Sequence, residues 1–470
     1  MIWTIARKEI HENLIGLRFA LLLTLALVFI PASFYTNYRT YLTRVADQQQ
    51  VDQRNRDFLR NLSATQIITN ASLSLDVYWP PAAASVYALG FEETHPRHLV
   101  IGRHGVAFGA PLDVHGSVGL FGSIDYLFIV QFIFSLFAIL LSFDAVTREK
   151  ENGTLRTMLA NRVSRAALAT GKLVGGYVTL AIPLLLSYLV GLIVLAVAGL
   201  GVFSADFMAR TVWILAASLG YVAVFFMLGL LVSSLVSSSY TALVASLAFW
   251  LMAVLVVPRA ASLVAQIGKP VKSGQVVWLE KLAAAANIDR ERGIALGRLW
   301  TQIESAAGGN ADQQQTDWSK GRGAVAAPFE ERKATALAQI DDDYRRRRNE
   351  QRQLGLAVAR LSPAGSVVSF ITEMAQTGLD GETRFAAEAE RYRGVVKRDL
   401  FDRVYADLLP GGRMNLGIIA PVNANTLPEF RLRSASVIDS LRGWDLGVLL
   451  LWFLGAGALV YRGLARYDVR

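Results

Sequence analysis

Six apolar runs separated by polar intervals of very unequal length set the plan of the chain. They cover residues 19–34, 124–143, 173–200, 211–232, 240–258 and 446–461. A helix needs about 20 mostly apolar residues to cross ~30 Å of hydrocarbon, so each run is a candidate span. The first is short, and Tyr35 and Tyr38 extend it into the headgroup region. None carries Lys or Arg in its middle, where an unpaired charge would cost several kcal/mol. Ahead of the first run, Ile2, Ile5, Ile10, Leu14 and Leu17 make an apolar stripe interrupted by Arg7, Lys8, Glu9 and Glu12. That pattern predicts an amphipathic helix over residues 1–18 lying in the membrane interface, with Trp3 at headgroup level. Pro31-Ala32-Ser33 is a poor cleavage site, which argues against a removed leader.

The polar intervals divide into short and long. Residues 204–210 and the uncharged run Ser233 to Ser239 read as tight turns, the serines placed to satisfy helix-end amides and carbonyls. Residues 35–123 open on a polar helical pattern, RVADQQQVDQRNRDFLRNLS, then turn rich in Gly and Pro, with Pro80-Pro81 and His95-Pro96 arguing against long regular elements. Residues 259–442 are rich in Ala, Gln, Glu and Arg. They predict a long solvated helix over about 330–360, packed through apolar stripes against a second over 385–408. Asp341-Asp342-Asp343 followed by Arg345 to Arg348 places opposite charges on adjoining turns, and four consecutive arginines point all round a helix, as on a solvated face. Residues 308–328, with paired glycines, three glutamines and a proline, read as a loop or hinge.

Composition agrees with the membrane reading: 53% of the 470 residues are hydrophobic and 18% charged, and the mean hydropathy is +0.36. The net charge of +9 does not point to nucleic acid, because the basic residues that stand out flank apolar runs, where they meet anionic lipid. With no cysteine there is no disulfide, thiol nucleophile or thiolate metal site. No phosphate-binding Gly-rich loop ending in Lys-Ser or Lys-Thr, no His-Glu-x-x-His and no Gly-x-Ser-x-Gly occurs, so ATP hydrolysis and the common hydrolase chemistries have no local signature. Acidic residues are missing from the span interiors, which disfavours an ion-coupled carrier. Four of the five histidines, His95, His98, His104 and His115, lie in one interval. They would suit a borderline metal only if the fold brought them together, and no cofactor is expected.

The charged interval 144–172 orients the rest. Arg148, Lys150, Arg156, Arg162, Arg165 and Lys172 crowd a short connection, which the positive-inside rule places in the cytoplasm. Arg7, Lys8 and Arg18 near one end and Arg462, Arg466 and Arg470 near the other agree, so both termini are expected inside and residues 35–123 and 259–442 outside. Within the interval, Leu155, Met158 and Leu159 recur at helical spacing and Thr154 stands where it can cap a helix start. Its plainest reading is a charged connecting loop.

The run Phe143-Asp144-Ala145-Val146-Thr147-Arg148-Glu149-Lys150-Glu151-Asn152-Gly153-Thr154-Leu155-Arg156, followed by Met158-Leu159, Ser164-Arg165 and Gly171-Lys172, resembles the cytoplasmic signature of bacterial ABC-2 type transporter permeases. Leu361-Ser362-Pro363 ahead of Thr377-Gly378, and the final Tyr467-Asp468-Val469-Arg470, are similar to the subfamily whose long outer domain is termed DUF3526, with relatives in nitrous-oxide-reductase maturation and gliding motility. The resemblance implies an all-α polytopic protein of the inner membrane with six transmembrane helices of ABC-2 exporter type and two large, mainly helical extracytoplasmic insertions. It implies a permease without ATPase activity, working with a separate ATP-binding subunit and a second permease copy or paralogue. Carried over by position, Glu149, Glu151, Gly153, Thr154, Leu155 and Arg156 are the coupling residues, with Arg7, Lys8 and Glu9 as secondary contacts. The two glutamates would meet basic residues of the ATP-binding subunit. The large outer intervals favour contact with a periplasmic or outer-membrane partner. The rival readings are a membrane-anchored scaffold or sensor, and a metal-dependent membrane enzyme built on the histidines.

Overall fold

The computed structural model describes residues 1–61, 74–90, 98–102, 105–108, 124–160, 163–402, 429–441 and 443–465. Six helices in it are long and apolar enough to cross a membrane, so the chain is a multi-pass membrane protein. Helix α1 (Ile2–Ile15) ends at Gly16, whose extended backbone separates it from α2. Helix α2 (Leu17–Arg60) does not stop at the end of its apolar run, and the polar pattern beyond Tyr38 continues the same 44-residue helix.

Tyr126–Phe128 (α3), a π turn at Ile129–Phe134 and Ser135–Ser142 (α4) form the second membrane helix. The charged interval folds as two short helices, α5 (Thr147–Glu151) and α6 (Thr154–Ala160). The next helices start earlier than the apolar runs suggest: α7 spans Arg165–Val197 and α8 Ala205–Leu235. Residues expected as the turn 204–210 therefore lie mostly inside α8. Helix α9 (Ser239–Leu251), a π turn at Met252–Val256 and α10 (Val257–Gly268) are continuous past Pro258. The wide π turn lies just ahead of the proline and accommodates its ring, which would clash with the carbonyl four residues back in a regular turn.

Helices α11 (Gly274–Ala307) and α12 (Ala311–Ala359) then form an antiparallel hairpin, roughly 50 Å long at 1.5 Å per residue. Residues 308–328 are accordingly not a loop. The reversal is confined to Gly308 and Gly309, at φ +52° and +92°, and Asn310 accepts the amide of Gln313 to start α12. Pro328 stays inside the helix because it and Ala324 are both exposed, so the carbonyl it leaves unpaired is hydrated. What the composition conceals is the partner helix. Trp318 meets Trp300 edge-on at 5.4 Å, and Arg332–Glu291 (2.7 Å), Lys333–Asp289 (2.7 Å), Arg292–Glu330 and Lys281–Asp341 rung the two arms together.

Helix α13 (Pro363–Met374) is buried against the bundle, and α14 (Leu379–Val396) follows, running into a π turn at Lys397–Asp402. The described part of the expected helix 385–408 thus ends at Asp402. It does not pack on α12 through apolar stripes. Arg348 and Arg352 of α12 reach Glu382 of α14 at 2.7 and 3.3 Å, while the apolar face of α14 covers a small sheet. That sheet, β1 (Ser74–Tyr78), β2 (His98–Gly102) and β3 (Gly105–Phe108), is antiparallel in the order β1-β2-β3, a departure from an all-helical chain. Leu75, Val77, Leu99 and Ile101 alternate into its covered face, and Trp79 stacks on Phe385 at 5.7 Å. Arg346 and Arg347 stand on solvent paired to Asp343 of their own helix, as the charge pattern predicted.

Between β1 and β2 a 3-10 turn at Ala83–Val86 enters the end of the membrane bundle. Asn37 of α2 donates to the Val86 carbonyl at 3.0 Å, Tyr87 stacks on Tyr188 at 5.7 Å, and its hydroxyl meets Thr211 at 2.6 Å. The chain closes with α15 (Val437–Ser440) and the last membrane helix, α16 (Gly443–Ala465). His98 lies on β2 with Nε2 3.0 Å from Asp76, whereas His95, His104 and His115 fall outside the described residues. Among the described residues no group of three or more His, Asp or Glu is placed to hold a metal.

Candidate coupling site

The end of the bundle formed by α1, α5, α6, the start of α7 and the close of α8 concentrates the interval singled out by its charge. Helix α5 is too short to persist alone, and neighbours complete its hydrogen bonds. The Ser233 hydroxyl accepts the amides of Val146 and Thr147 at 3.0 and 3.1 Å, which supplies the acceptor a helix start lacks. In return, Lys150 Nζ donates to the carbonyls of Ser234 and Val236 at 2.6 and 2.7 Å, placing a cation on the carbonyl end of α8. Glu151 accepts from the Ser239 amide and hydroxyl, both at 2.7 Å, placing an anion on the amide end of α9. Two adjacent, opposite charges thus clamp α5 across the turn between α8 and α9.

Glu149 faces the other way. Its carboxylate lies 2.7 Å from Lys172 Nζ, which lies at the same distance from Glu9. Lys172 is 2% exposed, against 14% for Glu9 and 12% for Glu149. This buried carboxylate–ammonium–carboxylate triad joins α1, α5 and α7. The close approach that permits it comes from Gly171 and Gly175: a Cβ there would fall 2.8 Å from Ile5 and 2.6 Å from Glu9 Cβ. A second group sits beside it. Asp144 pairs with Arg18 at 3.3 Å and Arg148 at 2.5 Å, and Arg18 also covers the Phe143 ring at 5.0 Å.

Of the residues expected to meet a partner, then, Glu149 and Glu151 are both engaged by this chain's own groups, and Leu155 is fully buried in the bundle core. Gly153, at φ +71°, makes the turn between α5 and α6, and Thr154 donates to the Glu149 carbonyl at 3.3 Å. Gly153, Thr154 and Arg156 are exposed at the end of the bundle, as are Arg7 and Lys8 along α1. Lys8 pairs within its helix with Glu12 at 3.5 Å. Glu9 belongs to the buried triad. Sequence reasoning missed Lys172, which counted only as one more flanking cation. Its signal was the Gly171-Lys172-x-x-Gly175 spacing, small residues on the face that carries the lysine. Arg210, at the end of the expected turn 204–210, is instead a buried residue of α8 at the opposite end of the bundle. It donates to the carbonyls of Met374 and Ala435 and to Ser440.

A family model described as ABC-2 family transporter protein matches residues 3–305, and one described as domain of unknown function DUF3526 matches residues 311–415. The boundary between the two matches falls at the tip of the α11–α12 hairpin, so the two sequence families share one structural unit. No curated protein matches the chain.

Proposed function

The chain belongs to the ABC-2 family of transporter proteins, and from that premise we propose that this membrane permease is the transmembrane half of an ATP-driven exporter whose motor docks on the α5–α6 end. Membership makes it a non-catalytic transport subunit of an ABC-type system, with ATP hydrolysis in a partner subunit. One observation carries the docking reading. The Gly153 turn, Thr154 and Arg156 stand exposed on a short double helix whose inward charges are all clamped to α1, α7, α8 and α9. A rigid, small, exposed lever is what a closing soluble dimer can push on, and its clamps pass the displacement to several membrane helices at once. Glu149 and Glu151 serve that reading as positioning residues, and the docking contacts fall to Thr154, Arg156 and, along α1, Arg7 and Lys8.

On this reading the α5–α6 end and both termini face the cytoplasm of a bacterial cell, following the basic residues, and the hairpin and sheet face outward. Two permeases, identical or paralogous, make the translocation unit, and the outward domain meets a periplasmic or outer-membrane partner. The test is charge reversal at exposed positions alone. Arg7→Glu/Arg156→Glu should reach normal membrane abundance while losing co-purification of the ATP-binding subunit, or its coupled ATP turnover in lipid discs. Wild-type association together with wild-type turnover would refute the docking assignment.

A further inference from the structure

At the end of the bundle opposite α5 and α6, where α14 and the segment leading into α16 meet, there is a cavity of about 540 Å³ lined by Arg384, Glu388, Arg391, Arg433, Ser436 and Asp439, with Leu432 and Ala435 as its apolar part. Three guanidinium groups face two carboxylates, and both carboxylates are already committed. Glu388 pairs with Arg391 at 2.9 Å. Asp439 closes the capping box of α15, accepting from the Ser436 hydroxyl at 2.7 Å and amide at 3.3 Å. Those hydrogen bonds, and then the field of Arg384 and Arg433, hold the Asp439 carboxyl below its ordinary range. Arg384 and Arg433 are near enough to exert that field, yet neither forms an ion pair with a carboxylate among the described residues. Among the described residues the cavity thus keeps two guanidinium forks to spare.

Its floor is held. The Ala435 carbonyl receives Arg210 Nη2 at 2.5 Å and Gln376 Nε2 at 3.1 Å, and Gln376 itself sits at φ +62°, the one described non-glycine residue in the left-handed region. The place is also defined relative to the lipid. Asp439 precedes the start of α16 at Gly443 by four positions, and Ile438 and Trp444 project 84% and 83% exposed beside it. An exposed Trp at the mouth of a membrane helix marks the headgroup level, and Ile438, six positions ahead of it, adds a second exposed apolar side chain on the approach to that helix.

We propose that this cavity is a binding site for the phosphate-bearing headgroup of an anionic phospholipid in the leaflet on the hairpin side. Arg384 and Arg433 are the phosphate ligands, since guanidinium forks suit phosphate oxygens in bidentate fashion, and Ile438 and Trp444 are the exposed apolar side chains that border the headgroup at the membrane interface. A resident lipid there would bridge α14 to the start of α16 and so tie the outward domain to the membrane helices.

The experiment is lipid retention by the purified full chain in mild detergent, read by native mass spectrometry after exchange into phosphatidylglycerol or phosphatidylcholine. The wild type should retain phosphatidylglycerol preferentially. Arg384→Gln/Arg433→Gln should lower that retention by at least about tenfold, since each basic residue near an anionic headgroup contributes about 1 kcal/mol. Arg384→Lys/Arg433→Lys should keep part of it. Arg346→Gln/Arg347→Gln, which removes the same charge from exposed positions on α12, should leave it unchanged. Equal retention of the two lipids by the wild type, full retention in Arg384→Gln/Arg433→Gln, or equal loss in both glutamine variants would each overturn the proposal. A separate arm titrates inorganic pyrophosphate in lipid-free detergent. Saturable pyrophosphate binding that is abolished in Arg384→Gln/Arg433→Gln, with lipid retention intact, would assign the cavity to a soluble phosphate and overturn the lipid source.

Discussion

Lys172 shows how much one residue can hold. Its ammonium is almost wholly withdrawn from water between Glu9 and Glu149, and removing one member of a buried ionic group leaves the others uncompensated, at about 3–5 kcal/mol. Lys172→Ala should therefore lower the thermal midpoint of the purified protein sharply. Adding Glu9→Gln and Glu149→Gln to Lys172→Met should restore much of the loss, because no buried charge then remains. A triple variant as unstable as Lys172→Ala would mean that packing, and not charge, holds the three helices. Leu155 carries a parallel lesson. The family resemblance makes it a coupling residue, and burial in the core makes Leu155→Asp a folding lesion of several kcal/mol. Membrane abundance should fall with that variant, while Arg156→Glu, one position on and exposed, should accumulate normally in an immunoblot of membranes.

Among the elements, the α11–α12 hairpin departs most from its local composition. No residue of α12 is fully buried, so its order rests on half-buried contacts and cross-arm ion pairs, each worth about 0–1 kcal/mol where exposed. Such a hairpin depends on register more than on any one contact. Deleting two residues between Trp318 and Glu330 turns everything beyond by about 200°, moving Lys333 and Asp341 away from Asp289 and Lys281. Limited proteolysis should then cut within 270–360 at a much higher rate than in the wild type. Unchanged resistance would show that the rungs do not set the register. Deletion here is thus not the neutral change that a Gly-, Gln- and Pro-bearing loop would tolerate.

For the whole molecule, the two ends of the bundle are secured by different means. One end relies on charges clamped around α5. At the other, Arg210 gathers α13, the approach to α15 and α15 itself, and Arg360 at the close of α12 pairs with the fully buried Asp445 of α16, at 2.5 Å. The hairpin is therefore fastened to the last membrane helix. The orientation proposed from the basic residues makes a sharp prediction: reporters fused after Arg156 and Arg470 should register the cytoplasm, and reporters near Gln50 and Arg346 the opposite side. A single reporter on the wrong side breaks the six-span arrangement.

The apolar runs and amphipathic stripes were legible in the sequence because their causes are local: a helix in hydrocarbon must satisfy its own backbone, and its side chains must be apolar over a contiguous stretch. The number of candidate spans, the helix α1, the charged interval 144–172 and its family signature all follow from neighbours along the chain. Which charges are clamps and which are exposed contacts was not legible. Lys172 and Glu9 are 163 positions apart, and Arg210 and Ala435 are 225 apart. Nothing near Arg210 distinguishes it from the flanking lysines and arginines that lie in water, and beside Lys172 only the spacing of Gly171 and Gly175 does. Likewise residues 308–328 look unstructured until α11 lies beside them, and β1 to β3 are short runs that pair only when folding brings them together. Periodicity records which face of an element is apolar; the tertiary structure alone decides what that face, and each charge beside it, meets.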